Sequence, residues 1–230
     1  MTNTKKLTRD QMAWRAARDI PNGAIVNLGI GLPELVSSHM EKNQEVVFHS
    51  ENGILGMGAI ADSGTEDFDL VSAGKKPVTV IPGSAYFDSS ISFSMVRGGH
   101  IDIAVLGAFQ VSRYGDLANW STGEAHITPA VGGAMDLAIG AKKIFVITTH
   151  TTLDGTPKIV ECCTYPLTAS MVVRTIFTDL AVIDLSEKGP VVREMIPGID
   201  LYTLQEQSGT ELILDPNWKV LKAPPLSNLP

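Results

Sequence analysis

Glu51 stands in the run Ser50-Glu51-Asn52-Gly53, one residue after the apolar stretch Val46-Val47-Phe48. A glutamate side chain ionises near pH 4.3 in water, roughly, so at neutral pH it is already an anion that can attack an activated acyl group without a general base. Asn52-Gly53 favours a tight turn, which would hold the carboxylate just past the carboxyl end of a strand, where α/β sheets bind ligands. The same residue could equally cap the next turn or pair with a surface cation.

Two glycine-bearing turns have comparable potential. Gly29-Ile30-Gly31-Leu32-Pro33 would follow the first strand and open a helix with Pro33 in its first turn, presenting backbone N–H groups to a phosphate or pantetheine. Glu34 occupies the place of the third glycine of a dinucleotide fingerprint, so that reading fails and a plain strand-to-helix turn remains open. In Val131-Gly132-Gly133-Ala134, bare backbone could reach a reacting carbonyl and donate to its oxyanion, although close helix packing also calls for glycine. Gly98-Gly99 reads as a helix C-cap.

Other chemistries lack their signatures. The histidines at 39, 49, 100, 126 and 150 have no metal-ligand spacing, and neither a Gly-x-Ser-x-Gly elbow nor a Walker loop occurs, so no metal site is expected. Adjacent Cys162 and Cys163 imply no disulfide framework and fit a reducing compartment. The net charge of −7 argues against a nucleic-acid footprint. No apolar run approaches the roughly 18 residues of a membrane span, and Met1–Asp10 lacks a secretory pattern, so a cytoplasmic location without membrane contact is expected.

The elements that must position these residues are legible from periodicity. Thr8 and Gln11 have capping-box spacing, with an apolar stripe of Met12, Ala13, Ala16, Ala17 and Ile20 behind them. Short apolar runs at 24–28, 46–48, 78–81, 101–106, 144–147 and 180–185 predict buried strands. Stretches 32–40, 88–97, 135–141 and 168–178 predict helices between them. The alternation implies an α/β fold, a mostly parallel open sheet with helices on both faces. Residues 1–230 are expected to form one domain, with a poorly defined tail from about 215.

At Ser50-Glu51-Asn52-Gly53, continued by Ile54-Leu55-Gly56-Met57-Gly58, the chain resembles the B subunit of class I coenzyme A transferases. Similar segments follow in order over roughly residues 7–212: Asn27-Leu28-Gly29, Gly64-Thr65-Glu66-Asp67, Ala73-Gly74-Lys75, Met95-Val96-Arg97-Gly98-Gly99-His100, Gly115 to Trp120, Gly132 to Leu137 and Thr178 to Val182. Leu167-Thr168-Ala169 departs from a frequent Leu-Thr-Gly, and the stretch beyond Leu214 matches nothing in the family pattern.

The resemblance implies a ping-pong transfer in which Glu51 attacks an acyl-CoA and becomes a glutamyl-CoA thioester. It further implies an oxyanion N–H at Gly132 or Gly133 and substrate or CoA contacts at Asn27, Gly29, Gly31, Asn52 and Gly53. CoA would be a substrate and no cofactor would be needed. An A-type partner would be required, commonly two A with two B chains, supplying a glutamine to the site. Leu106 to Ser112, Trp120 to Gly123, Pro129 to Gly133 and Cys163 to Leu167 look closer to the 3-oxoadipate branch, a step of aromatic catabolism fed by succinyl-CoA, than to the acetoacetate branch. A dicarboxylic acceptor needs a cation or several N–H donors for its second carboxylate, with Arg113 one candidate. Alternatives are an acetoacetate- or butyrate-type chain, an acyl-CoA hydrolase, and a non-catalytic acyl-CoA-binding module, which an intact Glu51 disfavours.

Overall fold

The computed structural model describes residues 5–124, 129–225 and 227. Helix α1 (Arg9–Ala17) starts on the anticipated capping box: the Gln11 N–H donates to Thr8 Oγ1 and the Thr8 N–H to Gln11 Oε1. Its apolar stripe, Met12, Ala13, Ala16 and Ala17, is buried. Helix α2 (Ser89–Arg97) is capped by the Asp88 carboxylate and closed by Gly98, and α3 (Ala134–Gly140) and α4 (Leu201–Gln205) are short.

The strands are β1 (Ile25–Leu28), β2 (Val47–Ser50), β3 (Ile54–Ile60), β4 (Val78–Tyr86), β5 (Ile103–Leu106), β6 (Gln110–Ser112), β7 (Leu117–Ala118), β8 (Lys143–Ile147), β9 (Ile159–Val160), β10 (Val173–Phe177), β11 (Ala181–Ser186), β12 (Gly189–Met195) and β13 (Ile213–Val220). Ten form one sheet in the order β13-β12-β11-β10-β8-β5-β1-β2-β3-β4, while β7-β6-β9 form a small second sheet. The central block from β10 to β2 is wholly parallel; β3 and β4 at one end and β11 and β12 at the other are antiparallel. All of β5 and Ile144–Ile147 of β8 are buried, as strands covered on both faces must be.

The chain runs from β1 to β2 in one direction and from β5 to β8 in the other, so strand order reverses between β1 and β5. Right-handed crossovers in opposite directions carry their connections to opposite faces. One face therefore bears the 3-10 helix Pro33–His39, packed on α1, and the other bears α3, packed on α2. The carboxyl ends of β1, β2 and β5 border the crevice where such a reversal binds ligands.

Two helix expectations change. Within residues 32–40 the chain forms a seven-residue 3-10 helix, Pro33–His39, rather than an α-helix. Residues 168–178 contain β10, not a helix: Val173, Thr175 and Ile176 are β-branched, and pairing with β8 on one side and β11 on the other outweighs the apolar spacing that looks helical. The stretch beyond 214, for which the sequence suggests no element, continues β13 along β12. Both outermost strands break register at a proline: β4 around Pro82-Gly83, opposite Gly56, and β13 around Pro216. One apolar cluster joins Met12 to Leu221. Among the described residues no helix is long and apolar enough to cross a membrane, and no group of three His, Cys, Asp or Glu is gathered to hold a metal.

Candidate active site

Asn27 of β1 and His49 of β2 are register partners, so their side chains leave the sheet on the same face. Glu51, two residues beyond His49 and half-buried, emerges on that side from the turn between β2 and β3. The Asn27 Nδ2 group donates to the His49 carbonyl at 3.1 Å and to Glu51 Oε2 at 3.3 Å. One carboxylate oxygen is thereby held by an amide.

The turn is shaped by its neighbours. Gly53 donates its N–H to the Ser50 carbonyl, has φ +122°, and would drive a Cβ to 1.9 Å from the Phe87 carbonyl oxygen, so only glycine fits. Ser50 Oγ accepts from the Ala73 N–H and Asn52 Nδ2 donates to the Val71 carbonyl, tying the turn to the 71–76 loop. Asn52 and Gly53 thus serve the geometry of the turn here.

Gly132 and Gly133, distant in sequence, come to this same place. Gly133 precedes α3, and a Cβ on it would lie 3.7 Å from Glu51 Cγ and 2.8 Å from Phe93 Cζ. Gly132 adopts φ +56°, a left-handed conformation that disfavours a side chain. Neither N–H has an acceptor among the described residues.

The first glycine turn is used differently. Gly29 packs on β5, where a Cβ would stand 3.1 Å from the Val105 carbonyl oxygen. Gly31 donates its N–H to Glu34 Oε2 at 3.0 Å, and that carboxylate also meets Lys76 Nζ at 2.8 Å. The anion at this turn is the chain's own. Beside it opens a cleft of about 450 Å³, lined by Arg9, Ile30, Leu32, Gly107, Phe109 and Lys158, which adjoins a larger one of about 940 Å³. Glu51 lines neither, and the clefts offer room for a ligand beside it. Lys158 is the notable cation between them: its Nζ bonds Thr148 Oγ1 at 3.1 Å, and burial lowers its pKa. Arg113, by contrast, is engaged with Glu161 at 3.1 Å.

Two buried polar residues join the site without a motif to announce them. His49 and Ser92 are fully buried, with His49 Nε2 2.9 Å from Ser92 Oγ. Burial lowers the His49 pKa to about 4, so the ring is neutral at physiological pH. Strand alternation from Glu51 back to His49 is a signal that could flag the histidine; nothing local flags Ser92. Cys163 has its pKa raised to about 11 by burial, which leaves it an unreactive thiol.

Residues 9–207 match the profile of a family described as Coenzyme A transferase, and the chain belongs to that family. It is 55% identical over 213 residues to the B subunit of 3-oxoadipate CoA-transferase from Pseudomonas putida, covering 93% of this chain and 100% of that one. It is 45% identical over 203 residues to the B subunit of succinyl-CoA:3-ketoacid coenzyme A transferase from Helicobacter pylori, covering 88% and 97%. It is also 43% identical over 216 residues to the human mitochondrial succinyl-CoA:3-ketoacid coenzyme A transferase 2, covering 93% of this chain but 42% of that longer one. The fold matches glutaconate coenzyme A-transferase of Acidaminococcus fermentans with TM-score 0.71 at 17% identity, over 98% and 93% of the two chains. It matches an acyl-CoA transferase of Escherichia coli O157:H7 with TM-score 0.72 at 20% identity, over 93% of this chain and 43% of that one.

Proposed function

We propose that this chain is the catalytic B subunit of a 3-oxoacid CoA-transferase, moving CoA from succinyl-CoA to 3-oxoadipate through a thioester on Glu51. The observation that carries the reading is the convergence on Glu51 of the Asn27 amide, at 3.3 Å from Oε2, and the Gly133 backbone, whose added Cβ would stand 3.7 Å from Cγ.

The free oxygen of Glu51 attacks the thioester carbonyl of the donor, giving a mixed anhydride and CoA thiolate. The thiolate then attacks the Glu51 carbonyl carbon, the bond to the donor acyl group breaks, and succinate leaves as a carboxylate. The oxygen held by Asn27 stays on Glu51 and carries the negative charge of the tetrahedral intermediate, where an N–H donor is worth most. The acceptor acid reverses the sequence. Because a carboxylate is a weak nucleophile toward a thioester, binding along the CoA chain must stabilise the anhydride-forming transition states. The clefts beside Gly31 and Lys158 suit that purpose, and Lys158 is better disposed than the ion-paired Arg113 for an anionic group.

The substrate assignment rests on identities of 55% and 51% to two chains named for 3-oxoadipate, against 45% to one named for 3-ketoacids. The relatives' designation as B subunits supports an A-type partner. We further infer a complex of two A and two B chains, working in the cytoplasm with CoA as substrate and no further cofactor. The reading is tested by incubating the reconstituted pair with succinyl-CoA and mapping the CoA adduct by mass spectrometry. An adduct on the Glu51 peptide that Glu51→Ala abolishes is the expected result; an adduct elsewhere, or normal turnover in the variant, overturns it.

A further inference from the structure

The geometry points to His49, steered by Ser92, as the positioning residue that turns the Asn27 amide so that its N–H, and not its oxygen, faces Glu51. The inference rests on Glu51 being the nucleophile and adds two residues to its support.

The Asn27 side chain is fully buried, and its Nδ2 donates to the His49 carbonyl at 3.1 Å and Glu51 Oε2 at 3.3 Å and lies 3.1 Å from His49 Nδ1, which accepts in one of the two ring tautomers. Its Oδ1 is buried with no partner among the described residues. The oxygen therefore does nothing to hold the amide, and its orientation is decided at the nitrogen end. A flipped amide would set an oxygen against the His49 carbonyl and the Glu51 carboxylate, two acceptors at once, which a buried site penalises.

For Nδ2 to donate toward His49, Nδ1 must present a lone pair, so the ring proton must sit on Nε2. Ser92 Oγ is 2.9 Å from Nε2, and its hydroxyl oxygen can accept that proton. The ring is clamped by Phe87, which stacks at 18° with centroids 6.3 Å apart. Phe87 is also the residue whose carbonyl oxygen forces a glycine at position 53, so one segment fixes both the histidine and the turn that carries Glu51. The opposite tautomer would put an N–H at Nδ1, where the matching partner is the amide oxygen, and would thereby turn the acceptor end of Asn27 toward the carboxylate. Ser92, on α2, thus receives the Nε2 proton in the tautomer of His49 that keeps the amide donor turned toward the reacting group.

The test uses the chain reconstituted with its A-type partner. Nitrogen NMR of His-labelled protein reads the tautomer: His49 should show an unprotonated Nδ1 and a protonated Nε2, and Ser92→Ala should mix the two forms. Single-turnover formation of the glutamyl-CoA adduct from succinyl-CoA should slow about tenfold to a hundredfold in Ser92→Ala and His49→Phe, the range known for groups that orient a ligand from behind, with KM little changed. His49→Asn, whose side-chain oxygen can stand in for the Nδ1 lone pair, should recover part of the rate lost in His49→Phe. A protonated Nδ1 in the unaltered protein, or unchanged adduct formation in Ser92→Ala, overturns the proposal. Ser92→Ala removes a single oxygen, so the test stands even if the histidine variants do not fold. Should the unaltered complex form no adduct at Glu51, the nucleophile assignment fails instead, while the NMR result still reports on the histidine.

Discussion

Gly133 approaches Glu51 so closely that a single added carbon would stand 3.7 Å from the glutamate Cγ, although the two residues are 82 positions apart and on different elements. The added carbon would also strike Phe93 at 2.8 Å. Gly133→Val should therefore displace the backbone N–H from Glu51 and lower kcat about a hundredfold or more, the usual cost of losing an oxyanion donor. Equal turnover in a folded Gly133→Val variant would reduce the glycine to a packing residue.

The isolated chain should be inactive, and mixing with the A-type partner should restore transfer, because among the described residues Asn27 is the one side chain that donates to Glu51. Native mass measurement of the co-expressed complex should find the two chains in equal number. Turnover by the pure single chain would refute this.

Acceptor choice is decided by kcat/KM for 3-oxoadipate against acetoacetate in the reconstituted complex. The ratio should favour 3-oxoadipate, and Lys158→Met should erode that preference while leaving acetoacetate turnover less affected, since a second carboxylate in a low-dielectric cleft needs a cation. A ratio favouring acetoacetate sinks the substrate assignment and leaves Glu51 chemistry untouched.

Stability should fall on mild acidification. Burial holds His49 and His150 at pKa values of about 4, against roughly 6.5 in the unfolded chain, so between those values the unfolded state binds more protons. The stabilisation is complete above about pH 6.5, declines as pH drops, and levels off below about 4; each histidine contributes on the order of 3 kcal/mol. Urea midpoints measured from about pH 7 to about pH 4.5 should decline, and His150→Gln should flatten the decline. An identical pH slope in that variant would count against this assignment.

Much of this is legible in the sequence wherever the signal is local. The Thr8–Gln11 capping box, the Asp88 start and Gly98 end of α2, and the apolar strands β1, β5 and β8 follow from spacing alone. The Ser50–Gly53 turn and the Gly132–Gly133 pair are both visible as candidate chemistry. What escapes depends on distant partners. Glycines at 56 and 58 hide the strand β3, whose ladder comes from β2 and β4. The β10 segment has helical apolar spacing, and only its neighbours β8 and β11 make it a strand. Glu34 filling the Gly31 turn, and Ser92 reaching His49 across 43 positions, have no trace in local pattern.

The prolines at the two rims of the ten-stranded sheet bear on how the molecule behaves in a crowded solution. An exposed outer strand is a template on which another chain can add itself and begin aggregation. Both rims here, β4 and β13, break register at Pro82 and Pro216, and a proline offers no N–H to an incoming ladder. A long parallel-cored sheet thus ends on each side in a strand that cannot be extended in register, which guards it against edge-to-edge polymerisation.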